Sequence, residues 1–456
     1  MTLAAACLLK VAQWLAVAGE PLRALWPIHL LMPIVLPTVA ATVYLAYRPR
    51  ATYLVDYACF RPSPNYRFPR AALLEHAHMS TFLADSTINF IARVLEHSGL
   101  SDETCVPPAL SYIEPYCSLD EARAEVELVV FSVVDDLLAK TRIDLDTIDI
   151  LVTNCSVFSP VPSIADMIVS RYKLRGDLRV INLSGMGCSA TVTAVGLARN
   201  ILEVMPFGSQ ALVVSTETIG PNHYAGNNRS MQLVNILFRM GGAAVLLSSS
   251  RSKARFRLTH VVRTITASDD NAYRCVYQEE DDEGIKGANL SKNLMAIAGD
   301  ALKANITAMG PLVLPTSELI KFLLVSLARK VFLGRRIRPY IPNFRTAFKH
   351  FCIHVGGPAV ISSVQRGLNL SDEHVEPSRM TLHQFGNQSS ASVWYELGYI
   401  EAKGRMLKGN RVWMIGFGAG YECNSAVWVC IRTCTSHGDH GPWASCIHRY
   451  PLDVQR

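Results

Sequence analysis

The chain has 456 residues, half of them hydrophobic and 18% charged, with a mean hydropathy of +0.19. That balance excludes a disordered, collagenous or small disulfide-stapled protein and leaves room for two or three globular units. A net charge of +6 arises from Lys and Arg scattered along the chain, which speaks against nucleic acid and for anionic small molecules or an anionic membrane surface as partners.

From Leu25 to Ala46 no Asp, Glu, Lys or Arg occurs, and about 22 such residues suffice to cross a ~30 Å hydrocarbon layer as a helix. Pro27, Pro33 and Pro37 would kink it, a defect tolerated better in membrane helices than in soluble ones. Leu3 to Val17, carrying Lys10 and Gln13, reads as a weaker first span, so that residues 1–50 would form a transmembrane hairpin. Arg48 and Arg50 then place the rest of the chain on the cytoplasmic side. A cleaved signal peptide fits less well, because the second stretch is too long and lacks a small-residue cleavage site.

Residues 51–120, rich in Pro and Tyr with short helical stretches such as Ala71 to Leu95, read as a connector or substrate-capping region. Apolar residues at helical spacing then predict a helix over Glu121 to Lys140, followed by a β-branched strand from Ile148 to Thr153. A helix (Ser163 to Tyr172), a strand (Leu178 to Leu183), a helix (Cys188 to Val204) and a strand (Ala211 to Ser215) continue the series. A second series offers strand-like His350 to Val355, helices from Ala359 and from Ser389 to Lys403, and strands Arg411 to Gly416 and Ser425 to Arg432. This alternation predicts an α/β protein with a parallel, helix-covered sheet, in two halves spanning 121–280 and 281–456.

The twelve cysteines show no paired CxxC spacing, which in so long a chain indicates a reducing compartment. Cys430, Cys434, His437, His440, Cys446 and His448 lie close in sequence, but their spacing matches no standard zinc finger and the glycines among them read as a surface loop, so no metal is expected. The informative string is Asn182-Leu-Ser-Gly-Met-Gly-Cys-Ser-Ala190, a strand end running through a glycine turn into an apolar helix. Cys188 falls at that helix's N-terminus, where unpaired N–H groups and the macrodipole lower a thiol's pKa and can hold an oxyanion. A cysteine nucleophile needs a histidine and a stabilising amide. His350-Phe-Cys-Ile-His354-Val-Gly-Gly357 and Thr381-Leu-His383-Gln-Phe-Gly-Asn387 supply candidates, and Gly416-Phe-Gly-Ala-Gly420 closes an apolar strand.

Together with FRMGGAA (Phe238 to Ala244), FGNQSSAS, WYELGYIEAKGRM (Trp394 to Met406), CNSAVW (Cys423 to Trp428) and YLVDYACF from Tyr53, these motifs resemble plant 3-ketoacyl-CoA synthases, the condensing enzymes of very-long-chain fatty acid elongation. The resemblance implies a thiolase-like fold of two βαβαβ-type halves preceded by the membrane hairpin. It implies a decarboxylative Claisen condensation of acyl-CoA with malonyl-CoA, without cofactor or metal, at the endoplasmic reticulum membrane with the catalytic part cytosolic. It implies Cys188 as nucleophile, His354 and Asn387 at the enolate oxygen, His350 and His383 as further site histidines, and an oxyanion hole from the Cys188 and Gly420 N–H groups. Elongase reductase and dehydratase partners, membrane lipid and a homodimer follow from the same resemblance.

The chain departs from that family's pattern at Ile265, where a histidine is usual, at Thr191 in place of a glycine and at Gln384 in place of a basic residue. The histidine at position 265 is accordingly read as structural. A thiolase would need a second cysteine near the last glycine-rich loop, where Ala419 stands, and a soluble type III polyketide synthase lacks a membrane hairpin. A catalytically weak scaffold subunit of an elongase complex is the alternative of a different class.

Overall fold

The structure is a computed structural model that describes residues 10, 12, 13, 28–47, 50–331, 340–433 and 441–452. The chain divides into two compact units, Met1–Arg50 and Ala51–Arg456. In the first, α1 (Ile28–Tyr47) carries Pro33 and Pro37 in its interior and exposes Met32, Ile34, Val35, Leu36, Val39 and Tyr44. Among the described residues no helix is long and apolar enough to cross a membrane. The stretch Leu3 to Val17 lies almost wholly outside the described residues, as does the start of the second stretch, Leu25 to Pro27.

The second unit opens with β1 (Tyr53–Cys59) and two helices, α2 (Arg70–Met79) and α3 (Asp85–Glu96). In α3, Thr87, Ile88, Ile91 and Leu95 recur at three- and four-residue steps and are its buried residues. α4 (Leu119–Thr141) starts where Ser118 Oγ accepts the Glu121 N–H and ends at Arg142, in left-handed conformation. β2 (Ile148–Asn154), α5 (Ile164–Tyr172) with a Ser163/Asp166 capping box, β3 (Arg179–Leu183), α6 (Ala190–Val204) and β4 (Gln210–Thr216) follow. Next come α7 (Arg229–Leu237), β5 (Gly242–Ser248), β6 (Phe256–Ile265), the short α8 (Asp270–Tyr273) and a separate hairpin of β7 (Val276–Glu280) and β8 (Lys286–Leu290). The chain continues through α9 (Leu294–Val313), α10 (Thr316–Val331), β9 (His350–Ile353), α11 (Pro358–Gly367), α12 (Asp372–Phe385), α13 (Ser392–Ala402), β10 (Arg411–Gly418) and β11 (Glu422–Cys430).

Nine strands form one sheet in the order β3-β2-β4-β5-β1-β6-β11-β10-β9. The expected parallel sheet is present only in part: β2 pairs parallel with β3 and β4, and β9 with β10, while the remaining joints are antiparallel. The halves meet at β1 and β6 through only two residue pairs, Tyr53 with Arg257 and Leu54 with Phe256. The change of half therefore falls between Ser248 and Phe256, ahead of the boundary expected near residue 280. Residues 51–120 are likewise more than a connector, since their first strand lies at the centre of the sheet. Buried Val, Ile and Ala on both faces of β2, β4 and β5 meet α4 on one side and α6 on the other, as strands covered on both faces require.

Candidate active site

β3 delivers the chain to Leu183, and a turn carried by Gly185 (φ 71°) leads into one tight turn, Gly187–Ser189, before α6 begins. The C-terminal half presses directly on this turn. A side chain at Gly187 (φ 64°) would bring its Cβ to 2.5 Å from the Ala419 nitrogen, and one at Gly418 would overlap the Ser189 hydroxyl and the Met186 carbonyl. Glycine at both positions lets the loop after β10 lie against the cysteine turn. Thr191, in the first turn of α6, is buried, and its hydroxyl accepts hydrogen bonds from Ser215 Oγ (3.0 Å) and Trp394 Nε1 (2.9 Å). The replacement of glycine there is thus fully satisfied.

Cys188, His354 and Asn387 come together around a residue the sequence reading passed over, Ser389. Its Oγ lies 3.3 Å from Cys188 Sγ, its N–H donates to Asn387 Oδ1 (2.8 Å), and its backbone holds the His354 ring by a hydrogen bond. Ser389 is buried with φ 53°, a left-handed conformation that costs a non-glycine residue of order 1 kcal/mol or more and gathers at functional sites. Asn387 is fixed from both sides, its N–H donating to Leu237 O and its carbonyl accepting from Arg239 N–H. His354 Nδ1 is buried without a hydrogen-bond partner. An unsatisfied polar atom of this kind is costly in an idle core and suits a site that waits for a polar ligand.

Two buried glutamates back this cluster. Glu217 Oε2 accepts from Ser389 Oγ (3.0 Å), while Oε1 accepts the Ser156 and Val157 N–H groups (3.0 and 3.1 Å). Burial raises its pKa against those hydrogen bonds. Glu125 accepts the Ile219 and Gly220 N–H groups (2.7 and 2.9 Å), and burial pushes it up to about 8. Single charged residues without a motif around them gave the sequence reading no signal for either.

The electrostatics at the nucleophile differ from the expectation for a helix N-terminus. Cys188 is partly exposed, yet removal of its thiol from water, helped by the nearby Glu217 charge, pushes it up to about 12 against the lowering effect of Ser389. Burial also lowers His354 to about 4. The resting pair is therefore a neutral thiol and a neutral imidazole, because desolvation outweighs the terminal N–H groups.

The other predicted residues are placed differently. His350 Nε2 lies 3.1 Å from Arg405 O and 3.2 Å from Asn410 Oδ1, so it ties β9 to the turn before β10. His383 Nδ1 meets Tyr450 Oη (3.0 Å) in a group with Gln384, Glu103 and Arg449. Neither His350 nor His383 makes a hydrogen bond to Cys188, His354, Asn387 or Ser389 among the described residues. Gly420 takes φ 76° in the loop that reaches Gly187 through Ala419. Ile265 is 67% exposed at the end of β6, so a histidine there would meet solvent rather than the cysteine. Cys155 is buried with its Sγ 3.5 Å from Glu217 Oε1, and burial raises its thiol strongly. Of the histidine- and cysteine-rich stretch, Cys434, His437 and His440 lie outside the described residues.

Behind the cluster opens an apolar pocket that is partly open to solvent. Ile219, two residues past Glu217, and Phe238, which bridges to Asn387, form its site-side wall. Leu73 and Ala77 of α2, Leu83 in the turn before α3, Ile91 of α3 and Leu110 also line it.

Residues 44–331 match the family model described as FAE1/Type III polyketide synthase-like protein, and residues 345–430 match that of the 3-oxoacyl-[acyl-carrier-protein] synthase III C-terminal domain. The chain is 54% identical over 417 residues to 3-ketoacyl-CoA synthase 6 of Arabidopsis thaliana, covering 91% of this chain and 83% of that protein. The chain belongs to the 3-ketoacyl-CoA synthase family. 3-Ketoacyl-CoA synthases 5 and 4 of the same plant are 51% and 53% identical over 94% and 91% of the chain, covering 87% and 80% of their own lengths. Among solved structures, a fungal type III polyketide synthase, ORAS, superposes with a TM-score of 0.63 at 17% identity, covering 83% of this chain and 99% of that one. The type III polyketide synthase domain of the Dictyostelium hybrid Steely1 gives 0.65 at 15%, over 84% and 100%. These likenesses establish the thiolase-like α/β fold of this synthase.

Proposed function

We propose that this synthase condenses a long-chain acyl-CoA with malonyl-CoA to give 3-ketoacyl-CoA, CO2 and CoA, as the condensing step of very-long-chain fatty acid elongation. The observation that carries the reading is the convergence of Cys188, His354 and Asn387 on Ser389. Cys188 sulfur attacks the acyl thioester carbonyl, its proton leaves with the departing CoA thiolate, and the acyl group stays on sulfur. The Cys188 and Gly420 N–H groups would hold the tetrahedral oxyanion. Malonyl-CoA then loses CO2, and its thioester oxygen becomes negative between the His354 ring and the Asn387 amide. The enolate carbon attacks the acyl-enzyme carbonyl, the C–S bond to Cys188 breaks, and the returning thiolate takes up a proton. The chemistry uses no redox step and no electron carrier. The apolar pocket beside Asn387 suits the acyl chain, since burying each CH2 stabilises by about 0.8 kcal/mol.

Residues 1–50 would anchor the enzyme in the endoplasmic reticulum membrane with the catalytic unit in the cytosol, where CoA esters arise. The apolar run Leu25 to Ala46 and the arginines at 48 and 50 support this. A homodimer, and a reductase and dehydratase acting on the product, complete the proposal.

The purified chain, given acyl-CoA and carboxyl-labelled malonyl-CoA, is expected to release labelled CO2 and form 3-ketoacyl-CoA, and Cys188→Ala to form no 3-ketoacyl-CoA. Iodoacetamide should inactivate by modifying Cys188. Inactivation that tracks Cys155, with Cys188→Ala still condensing, would sink the assignment.

A further inference from the structure

Among the described residues nothing covers the apolar stripe of helix α10. Ile320, Leu323, Leu324, Leu327 and Val331 are 49–70% exposed, and at 100° per residue they fall within one arc of about 100°. Residues at this spacing normally face a core. The contact with the protein is made instead at the start of the helix, where Glu318 is buried opposite the stripe and Leu319 packs on the C-terminal core from the flank, while Phe322, also opposite the stripe, is 43% exposed. Glu318 accepts hydrogen bonds from Tyr340 Oη (2.6 Å), the Asn343 N–H (2.9 Å) and Lys321 Nζ (2.9 Å), which fixes the start of the helix.

The charges around the stripe select its occupant. Lys321 and Lys330, both exposed, lie about 100° to one side and 80° to the other of the stripe's axis. The helix has a single acidic residue, and that is Glu318, turned into the protein. Lys321 Nζ already holds the Glu318 carboxylate (2.9 Å), and Arg329 and Lys330 have no acidic residue left on the helix to meet them, so a two-fold pair of copies would bring two net-positive helices to one seam, where like charges are costly. An anionic bilayer surface takes these features at once: the apolar residues enter the acyl boundary, the helix's net positive charge faces the headgroups, and Glu318, buried and neutralised by Lys321, presents no repulsive charge.

We propose that α10 lies in the surface of an anionic lipid bilayer, stripe down, as a second membrane contact of the catalytic unit separate from residues 1–50. The placement holds one face of the unit against the leaflet from which a long acyl chain would be drawn.

The test is amide hydrogen exchange on the purified full-length chain in detergent, in phosphatidylcholine discs and in discs that also hold phosphatidylserine. Residues 319–331 are expected to exchange more slowly in discs than in detergent, and about five-fold or more slower again with the anionic lipid, the factor that one surface cation contributes. Leu323→Glu/Leu327→Glu should abolish the protection and Lys321→Glu/Lys330→Glu its dependence on phosphatidylserine, while both retain condensation in detergent and unchanged exchange in β1. Should the first variant fail to fold, the lysine variant alone reads the charge dependence. Equal exchange in all three environments, or protection in detergent that grows with protein concentration, overturns the proposal, the latter in favour of a second copy. Because exchange and not turnover is read, failure here leaves the condensation assignment untouched.

Discussion

The Ser389 hydroxyl has one proton and two neighbours that want it, Cys188 Sγ and Glu217 Oε2. An ionised Glu217 claims that proton; a protonated one can donate to the serine oxygen and release the serine proton toward sulfur. Burial raises the Glu217 pKa, which favours the second arrangement and so supports the thiolate when it forms. Ser389→Ala is therefore expected to slow iodoacetamide alkylation of Cys188 about ten-fold or more at fixed pH, one pKa unit corresponding to a factor of ten. Unchanged alkylation would show that the serine only shapes the backbone. Asn387→Ala should behave differently. Labelled acyl-CoA should still form the thioester on Cys188, while condensation falls about 10² to 10³-fold, the usual cost of one oxyanion donor; lost adduct with normal CO2 release would assign Asn387 to acylation. His354 is lowered from 6.5 to about 4 by burial, so the unfolded chain binds more protons between those values. Its contribution opposes folding increasingly as pH falls from above 6.5 toward 4, by up to ~3 kcal/mol. In thermal unfolding scans, His354→Gln should gain on the wild type as the pH drops from 7.5 to 5, and a constant difference would contradict the buried neutral ring.

Among the elements, those with a clean period were legible. α4, α5, β2, β3, β4 and β10 lie within a few residues of their expected positions because their apolar spacing and caps are local signals. β1 was not, since Asp56 interrupts it; the structure explains the charge by the Arg255 ion pair that also reaches Glu401. β5 and β6 were missed because continuous burial or mixed exposure erases a two-residue period. At the site, Cys188 was legible from its glycine turn, whereas Ser389, Glu217 and Glu125 acquire their roles only through contacts made across the fold. The pocket between α2, α3 and the segment before α7 bears its own test. Leu83, partly exposed on its wall, can accept a larger ring with little strain, so Leu83→Trp should shift the preferred acyl-CoA to shorter chains. Loss of all chain lengths in equal proportion would place the acyl chain elsewhere.

For the whole molecule, residues 1–50 form a unit of their own, and the proposed anchor is open to a direct check. In alkaline carbonate the full chain is expected to stay with microsomal membranes, and deleting residues 1–47 to weaken that retention; protease added outside intact microsomes should digest the catalytic unit. Release of the full chain, or a protected C-terminus, would contradict the proposed anchor or topology. The central place of β1 has a further consequence, for synthesis. Its Cys59 pairs with Ala243, about 180 residues later, and its other neighbour, β6, is later still. At ~5 to 20 residues per second, the first strand to leave the ribosome waits about 10 to 40 s for either edge to be covered. The nascent enzyme therefore passes through a long interval in which Tyr53-Leu-Val-Asp-Tyr-Ala-Cys59 is an open strand, and the lone Asp56 within it guards that interval against premature pairing.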